Sequence, residues 1–297
     1  MKLGALPPLY KGIFILLTAL MLFDIMGVMI KMLGERYPVY QMAMFRNLFA
    51  LIPSIIALYT SVSWHKQGRS FGLKQWKLGL IRGLFIVMAQ GCFYLSLQHM
   101  EFATATSIAF AGPLITTALS VVILKMTVGI WRWVAVLISF VGIILVMQPG
   151  SEIFTWYAVL PLIAAAGYAS NSVTARLFDD SIPTPVINLY ATISALFGTA
   201  IIAFSSDSYV TVQSTDDWIL LACMGFAGGL AVFLWITAYR MTDPSNLTPF
   251  EYLGIPSAFV LGWMFFGEAP FDRLMPGVLL IVVGGFMIIW RERVNKN

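Results

Sequence analysis

Ten stretches of about 17–25 mostly apolar residues follow one another through this chain, the length a helix needs to cross a bilayer. They run roughly 11–33, 38–60, 77–98, 103–123, 131–148, 154–176, 185–204, 217–239, 246–266 and 274–290. Nearly all of the 297 residues are consumed this way, which leaves no room for a sizeable soluble domain. Charged residues make up only 11% of the chain and hydrophobic ones 59%, against about 25% charged in soluble proteins. Lipid is a solvent for that much apolar surface. The expected fold is therefore an all-α integral membrane bundle of ten transmembrane helices.

Lys and Arg set its orientation. With the N-terminus inside, 13 of the 18 fall on the inner side, among them Lys66, Arg69, Lys74, Lys77, Arg291 and Arg293. Only Lys31, Arg36 and Arg273 fall outside, while Arg46 and Arg82 lie within spans. By the positive-inside rule both termini are expected in the cytoplasm, with the protein multi-pass in the inner (plasma) membrane. The first span is too long for a signal-peptide core and no small-residue cleavage site follows it, so it reads as a retained helix. The net charge of +4 belongs to these inner loops, and no basic stripe points to nucleic acid.

The chain also repeats itself weakly. A shift of 145 places Lys31 on Arg176, Pro38 on Pro183, Ala50 on Ala195 and Leu51 on Leu196. A shift of 143 places Pro113 on Pro256, Leu137 on Leu280, Ile138 on Ile281 and Gly142 on Gly285. Two repeats follow, 11–148 and 154–291, of five spans each. An odd number of spans forces the halves into opposite orientations, an arrangement typical of secondary transporters. Pro113 and Pro256 fall within spans four and nine, where proline frees a carbonyl and kinks a helix, so both are candidate hinges.

Charge in the hydrocarbon region costs ~2.5–3.5 kcal/mol per residue on insertion scales and needs a partner or a task. Asp24 sits near the middle of span one, Arg46 two turns into span two and Glu251 in the first third of span nine. Arg46 is the first candidate for substrate binding, since its guanidinium stays charged and grips carboxylate or phosphate bidentately. A structural ion pair with Asp24 or Glu251 is the equally weighted alternative. Glu251 and Asp24 are candidates for proton coupling, because low dielectric favours the neutral form of a carboxyl group. Arg82 and Arg176 lie near inner helix ends and are expected to snorkel; Lys125 and Glu268 read as helix-end groups.

Polar and aromatic residues recur at helical spacing. Gln90 and Tyr94 share a face of span three, Tyr168 and Asn171 a face of span six, and Asn188 opens span seven. Trp235 lies on span eight, and Phe250 and Tyr252 flank Glu251. Together they form a candidate substrate-binding set, able to hold a planar ring and satisfy its polar edges, although each also suits helix packing. Trp64 reads as an interfacial residue. Gly142, Gly225, Gly228, Gly229, Gly284 and Gly285 allow helices to approach closely, within a monomer or across a homodimer. Cys92 and Cys223 lack a partner pattern, and His65 and His99 lack metal-ligand company, so no metal or cofactor is expected.

At several of these positions the sequence resembles the EamA family of the drug/metabolite transporter superfamily. Phe45-Arg46-Asn47 is similar to the family's arginine near the start of the second helix. Ala109-Phe110-Ala111-Gly112-Pro113-Leu114, Trp131-Arg132-Trp133, Gly142 and Gln148-Pro149-Gly150 resemble its repeat-ending signature. The second copy reads Pro249-Phe250-Glu251-Tyr252, Phe266-Gly267-Glu268, Gly284-Gly285 and Arg291-Glu292. One departure stands out: relatives carry glycine-glutamate where this chain has Leu124-Lys125, while Glu268 keeps the acid in the second half. The resemblance implies a metabolite carrier of the subgroup linked to riboflavin, S-adenosylmethionine or organic-acid uptake.

No HExxH, Ser/His/Asp set or nucleophile-base pair supports the rival reading, a membrane-embedded enzyme. No charge ring or filter loop supports a channel. The expectation is a secondary active transporter that moves a small polar metabolite, an organic anion or a vitamin- or nucleotide-like solute, by alternating access. Proton coupling, exchange, import and export all remain open at this stage, as does an exporter role on the same fold. The expected partners are that small molecule and the lipid bilayer.

Overall fold

Lipid offers no hydrogen bonds, so each apolar segment must satisfy its own backbone, and helices are the result. The computed structural model describes residues 8–125, 130–148, 155–179, 181–206, 208–241, 247, 250–268 and 271–294. The long helices are α1 (Pro8–Leu33), α2 (Val39–Tyr59), α4 (Trp76–His99), α9 (Thr184–Ser205) and α10 (Thr215–Met241). Between them lie α3 (Val62–Lys66), α5 (Phe102–Ala109), α6 (Gly112–Leu124), α7 (Ile130–Met147) and α8 (Val159–Thr174). The chain closes with α11 (Gly254–Phe266), α12 (Phe271–Leu274) and α13 (Gly277–Val294). Seven helical stretches among the described residues are long and apolar enough to cross a membrane. Leu137–Met147 and Gly254–Phe266 are shorter apolar helices. The protein is an all-helical, multi-pass integral membrane protein.

Packing follows a reciprocal pattern. α1 packs on α10, and α4 on α8; α10 packs on α2, and α4 on α9; α1 meets α11, and α8 meets α6. Exchanging the first five expected spans with the last five maps each of these contacts onto its partner, while α2–α9 and α7–α13 map onto themselves. Glycine enables the closest approaches. A Cβ on Gly225 of α10 would lie 2.6 Å from Phe49 Cβ and 2.9 Å from the Arg46 carbonyl oxygen of α2. One on Gly142 of α7 would lie 2.6 Å from the Gly277 carbonyl oxygen of α13.

The helix breaks refine the proline expectation. α5 stops at Ala109 and α6 restarts at Gly112, so Pro113 lies in the first turn of a new helix, where its missing N–H costs nothing. Tyr252 and Leu253 form the corresponding turn before α11, and Pro256 falls in that helix's first turn. Tight bonds from Ala111 N to Ile108 O (3.0 Å) and from Ile255 N to Tyr252 O (3.1 Å) mark the two breaks. Both α6 and α11 are 13 residues long and both end on a left-handed residue, Lys125 at φ 52° and Gly267 at φ 67°.

Trp64 corrects its interfacial reading. It is buried in the short α3 beneath the loop, edge-on to Tyr59 and Phe71 with ring centroids 5.5 and 5.3 Å away. Its indole N–H donates to the Ser70 carbonyl oxygen at 3.0 Å.

Candidate functional site

Arg46 emerges from α2 beside Asn47, and Asn47 holds it. Asn47 and Gln90 of α4 exchange two hydrogen bonds, at 2.8 and 2.9 Å, and both side chains are buried. Asn47 Nδ2 also lies 3.4 Å from Thr199 Oγ1 on α9. Arg46 Nη1 donates to Asn47 Oδ1 at 3.1 Å. Residues of α4 and α9 thus fix Asn47, and Asn47 holds one end of the guanidinium. Gly228 of α10 leaves room for the rest: a Cβ there would approach Nε to 3.0 Å and Nη2 to 3.2 Å.

The guanidinium pairs with neither Asp24 nor Glu251. Among the described residues it forms no ion pair, and its buried Nε has no hydrogen-bond partner. Arg46 stands within electrostatic reach of Tyr94 of α4 and Tyr168 of α8. Tyr94 is 1% exposed and its hydroxyl is unpartnered. Tyr168 of α8 is 38% exposed. One turn further along α8, Asn171 keeps a buried Oδ1 without a partner. A fixed cation, a phenol hydroxyl and an amide oxygen therefore stand with hydrogen-bonding capacity unused, in a region where unused capacity costs about 1–3 kcal/mol per group.

The acids lie around α1. Asp24 is buried and accepts a hydrogen bond from Ser257 of α11, whose hydroxyl also lies 3.1 Å from the Gly254 carbonyl oxygen. One hydroxyl hydrogen cannot serve both acceptors at once. Glu251 is 7% exposed, just before the break that precedes α11, with no ion pair to a described residue. α1 links the groups: Phe23 meets Trp235 edge-on at 6.1 Å, Asp24 meets Ser257, and Met26 packs at Gly228 beside Arg46.

The wider set divides. Gln90 is consumed by Asn47, so it holds the residue that receives Arg46 and has no amide group left over for a ligand. Trp235 and Phe250 pack with Leu16, Leu20, Ala238 and Leu247. Tyr252 turns the other way onto Phe110, ring centroids 6.2 Å apart. Phe250 and Tyr252 therefore do not close on one ring from its two faces. Asn188 is elsewhere, lining a separate cavity of about 260 Å³ with Ser54, Thr60, Phe233 and Thr237.

Arg82 does not snorkel. It is 2% exposed, donates to the Asn171 carbonyl oxygen at 3.0 Å and to that of Ile187 at 3.3 Å, and lies over the Phe178 ring. Asn47, Ser257, Thr199 and Gly228 escaped the sequence reading as site residues. The signal for Asn47 was its place in Phe45-Arg46-Asn47; the others carry no motif.

The EamA-like transporter family model matches twice, over residues 10–148 and 155–290. The chain belongs to the EamA-like transporter family. This EamA-like protein is 27% identical over 274 residues to an S-adenosylmethionine uptake transporter of Rickettsia bellii, covering 90% of this chain and 89% of that one. It is 28% identical over 194 residues to a riboflavin transporter of Vibrio cholerae, with 64% of each covered. It is 22% identical to the pseudopaline exporter of Pseudomonas aeruginosa, with 93% and 94% covered. A solved crystal structure superposes with a TM-score of 0.65 at 17% identity, over 97% of this chain and 99% of its own, a likeness of fold alone. The EamA-like chain is thus a membrane transporter for a metabolite and not an enzyme.

Proposed function

We propose that the protein is a secondary carrier of the inner membrane that moves a small polar metabolite bearing an anionic group, by alternating access. Ten spans in two inverted repeats, 11–148 and 154–291, with both termini cytoplasmic, form the frame of this reading. The double family match, the reciprocal packing and the paired breaks before α6 and α11 support it. In such carriers the substrate binds near mid-depth between the halves.

The observation that carries the anionic group is Arg46, a guanidinium fixed by Asn47 and Gln90 yet left without a carboxylate. A substrate carboxylate or phosphate would take its open donors, while Tyr94, Tyr168 and Asn171 would meet the polar edge of the remainder. Glu251 and Asp24 supply the proton side of the reading, and the breaks preceding Pro113 and Pro256 supply the hinges. Relatives named for uptake and one named for export share the fold, so the direction of flow rests on the driving gradient.

The test is thermal stabilisation of the detergent-purified protein by flavins, nucleosides, S-adenosylmethionine, amino acids and di- or tricarboxylates. A ligand that binds only the folded state raises the melting temperature. A carboxylate or phosphate compound should stabilise the parent and lose its effect in Arg46→Ala. Stabilisation by neutral or cationic solutes alone, unchanged in Arg46→Ala, would refute the anionic reading.

A further inference from the structure

Lys31, in the last turn of α1, joins three elements. Its Nζ forms an ion pair with Glu268, just beyond α11, donates to the Met100 carbonyl oxygen at 2.7 Å and lies 4.9 Å from the Phe266 ring centre. Glu268 spends its other oxygen on the Phe102 N–H at 2.7 Å, capping α5 from a distant part of the chain. The two side chains are only 15% and 18% exposed, so solvent screens the pair less than a surface bridge. Lys31 and Phe102 come from the first half and Glu268 from the second, so opening this face means separating them.

The internal repeat supplies the comparison. The shift of 145 carries Lys31 to Arg176, and the shift of 143 carries Glu268 back to Lys125. Lys125 caps α6 and Arg176 lies in the 3-10 turn just after α8, and α6 and α8 pack together as α1 and α11 do. Here, however, the acid is replaced and both residues are cations. Both are exposed, and neither makes an ion pair with a described residue. The attraction that closes one face has a like-charge counterpart on the other.

We propose that Lys31–Glu268 is a latch on the outer face, and that the Arg176/Lys125 pair leaves the inner face without one. The proposal rests on the alternating-access reading above and adds an asymmetry to it. Closure of the outer face is held, closure of the inner face is not, and the resting population favours a shut outer face.

The experiment reads accessibility, not transport. In a background with Cys92→Ala and Cys223→Ala, Ala105→Cys places a thiol on α5, at a position that is fully buried close to the latch. A membrane-impermeant maleimide is added to intact spheroplasts, and in parallel to inverted vesicles. Glu268→Gln and Lys31→Gln should each speed labelling from outside by about fivefold, the effect of losing a partly screened pair on a two-state equilibrium. Lys125→Glu, an exposed change that leaves the outer pair intact, should create an inner pair with Arg176 and raise outside labelling as well. Unchanged labelling in folded Glu268→Gln overturns the latch. Where Glu268→Gln does not fold, Lys125→Glu decides: no change there overturns the asymmetry. Solute uptake by the same cells is scored separately, so labelling that shifts without any uptake keeps the latch and refutes the carrier reading.

Discussion

Asn47 and Gln90 hold each other through both ends of their amides, and the oxygen that Asn47 offers to Gln90 also receives Arg46 Nη1. The arginine's position is therefore set two residues away, on α4. Gln90→Ala should remove both bonds of the exchange and leave the buried Asn47 amide only the long contact to Thr199 and the Arg46 donor, at a cost of about 1–3 kcal/mol. Thermal melts in detergent should show that loss, and ligand stabilisation should weaken with it. A full ligand response in Gln90→Ala would show that Arg46 needs no such support.

Gly228 tests the same arginine from the opposite side. A methyl group there would overlap Met26 Sδ, which must shift first, and stand 3.0 and 3.2 Å from Arg46 Nε and Nη2, so both side chains would have to give way. Gly228→Ala should weaken ligand binding roughly tenfold, the equivalent of ~1.4 kcal/mol. A methyl tolerated without change in ligand affinity would mean that Met26 and the guanidinium both yield without loss of the bound geometry.

Glu251 and Asp24 separate by their partners. Glu251→Gln keeps shape and removes the titrating proton, so uptake should persist with its dependence on the pH gradient lost. Ser257→Ala removes the hydroxyl from Asp24 and should alter the pH profile without abolishing uptake. A protonophore titration in cells expressing each variant separates the two. A full pH response in Glu251→Gln would move the coupling to Asp24.

Arg82 supports helix ends. Its Nε serves the Asn171 carbonyl in the last turn of α8, where a cation also meets the negative end of the helix dipole. Arg82→Ala leaves two carbonyls without that donor and should destabilise the protein by about 1–3 kcal/mol. The check is the detergent melting temperature. An undiminished value would mean that other donors replace it.

What the sequence made legible follows from lipid as a solvent. The apolar stretches had to be helical, so 39–59, 76–99 and 184–205 match their expected spans to within a residue or so. Arg46 drew attention because an intramembrane charge demands a reason, and among the described residues it meets Asn47 and no carboxylate. The face of Gln90 was readable, but periodicity cannot tell that Asn47 sits across from it and consumes its amide. Arg82 was misread for a related reason: nearness to a helix end was visible, whereas the cover provided there by α8 and α9 was not. The helix breaks were misplaced by a few residues because proline marks the first turn of a new helix as readily as a kink. Trp64 was misread because its cover, a folded loop, comes from residues with no periodicity.

The breaks before α6 and α11 have a mechanical consequence. Thirteen residues of helix reach about 20 Å, well short of the roughly 30 Å hydrocarbon layer, so neither α6 nor α11 spans it alone. An unbroken rod would carry any tilt imposed at one membrane surface through to the other. A break, as at Phe110–Ala111 between α5 and α6, is where such transmission would stop.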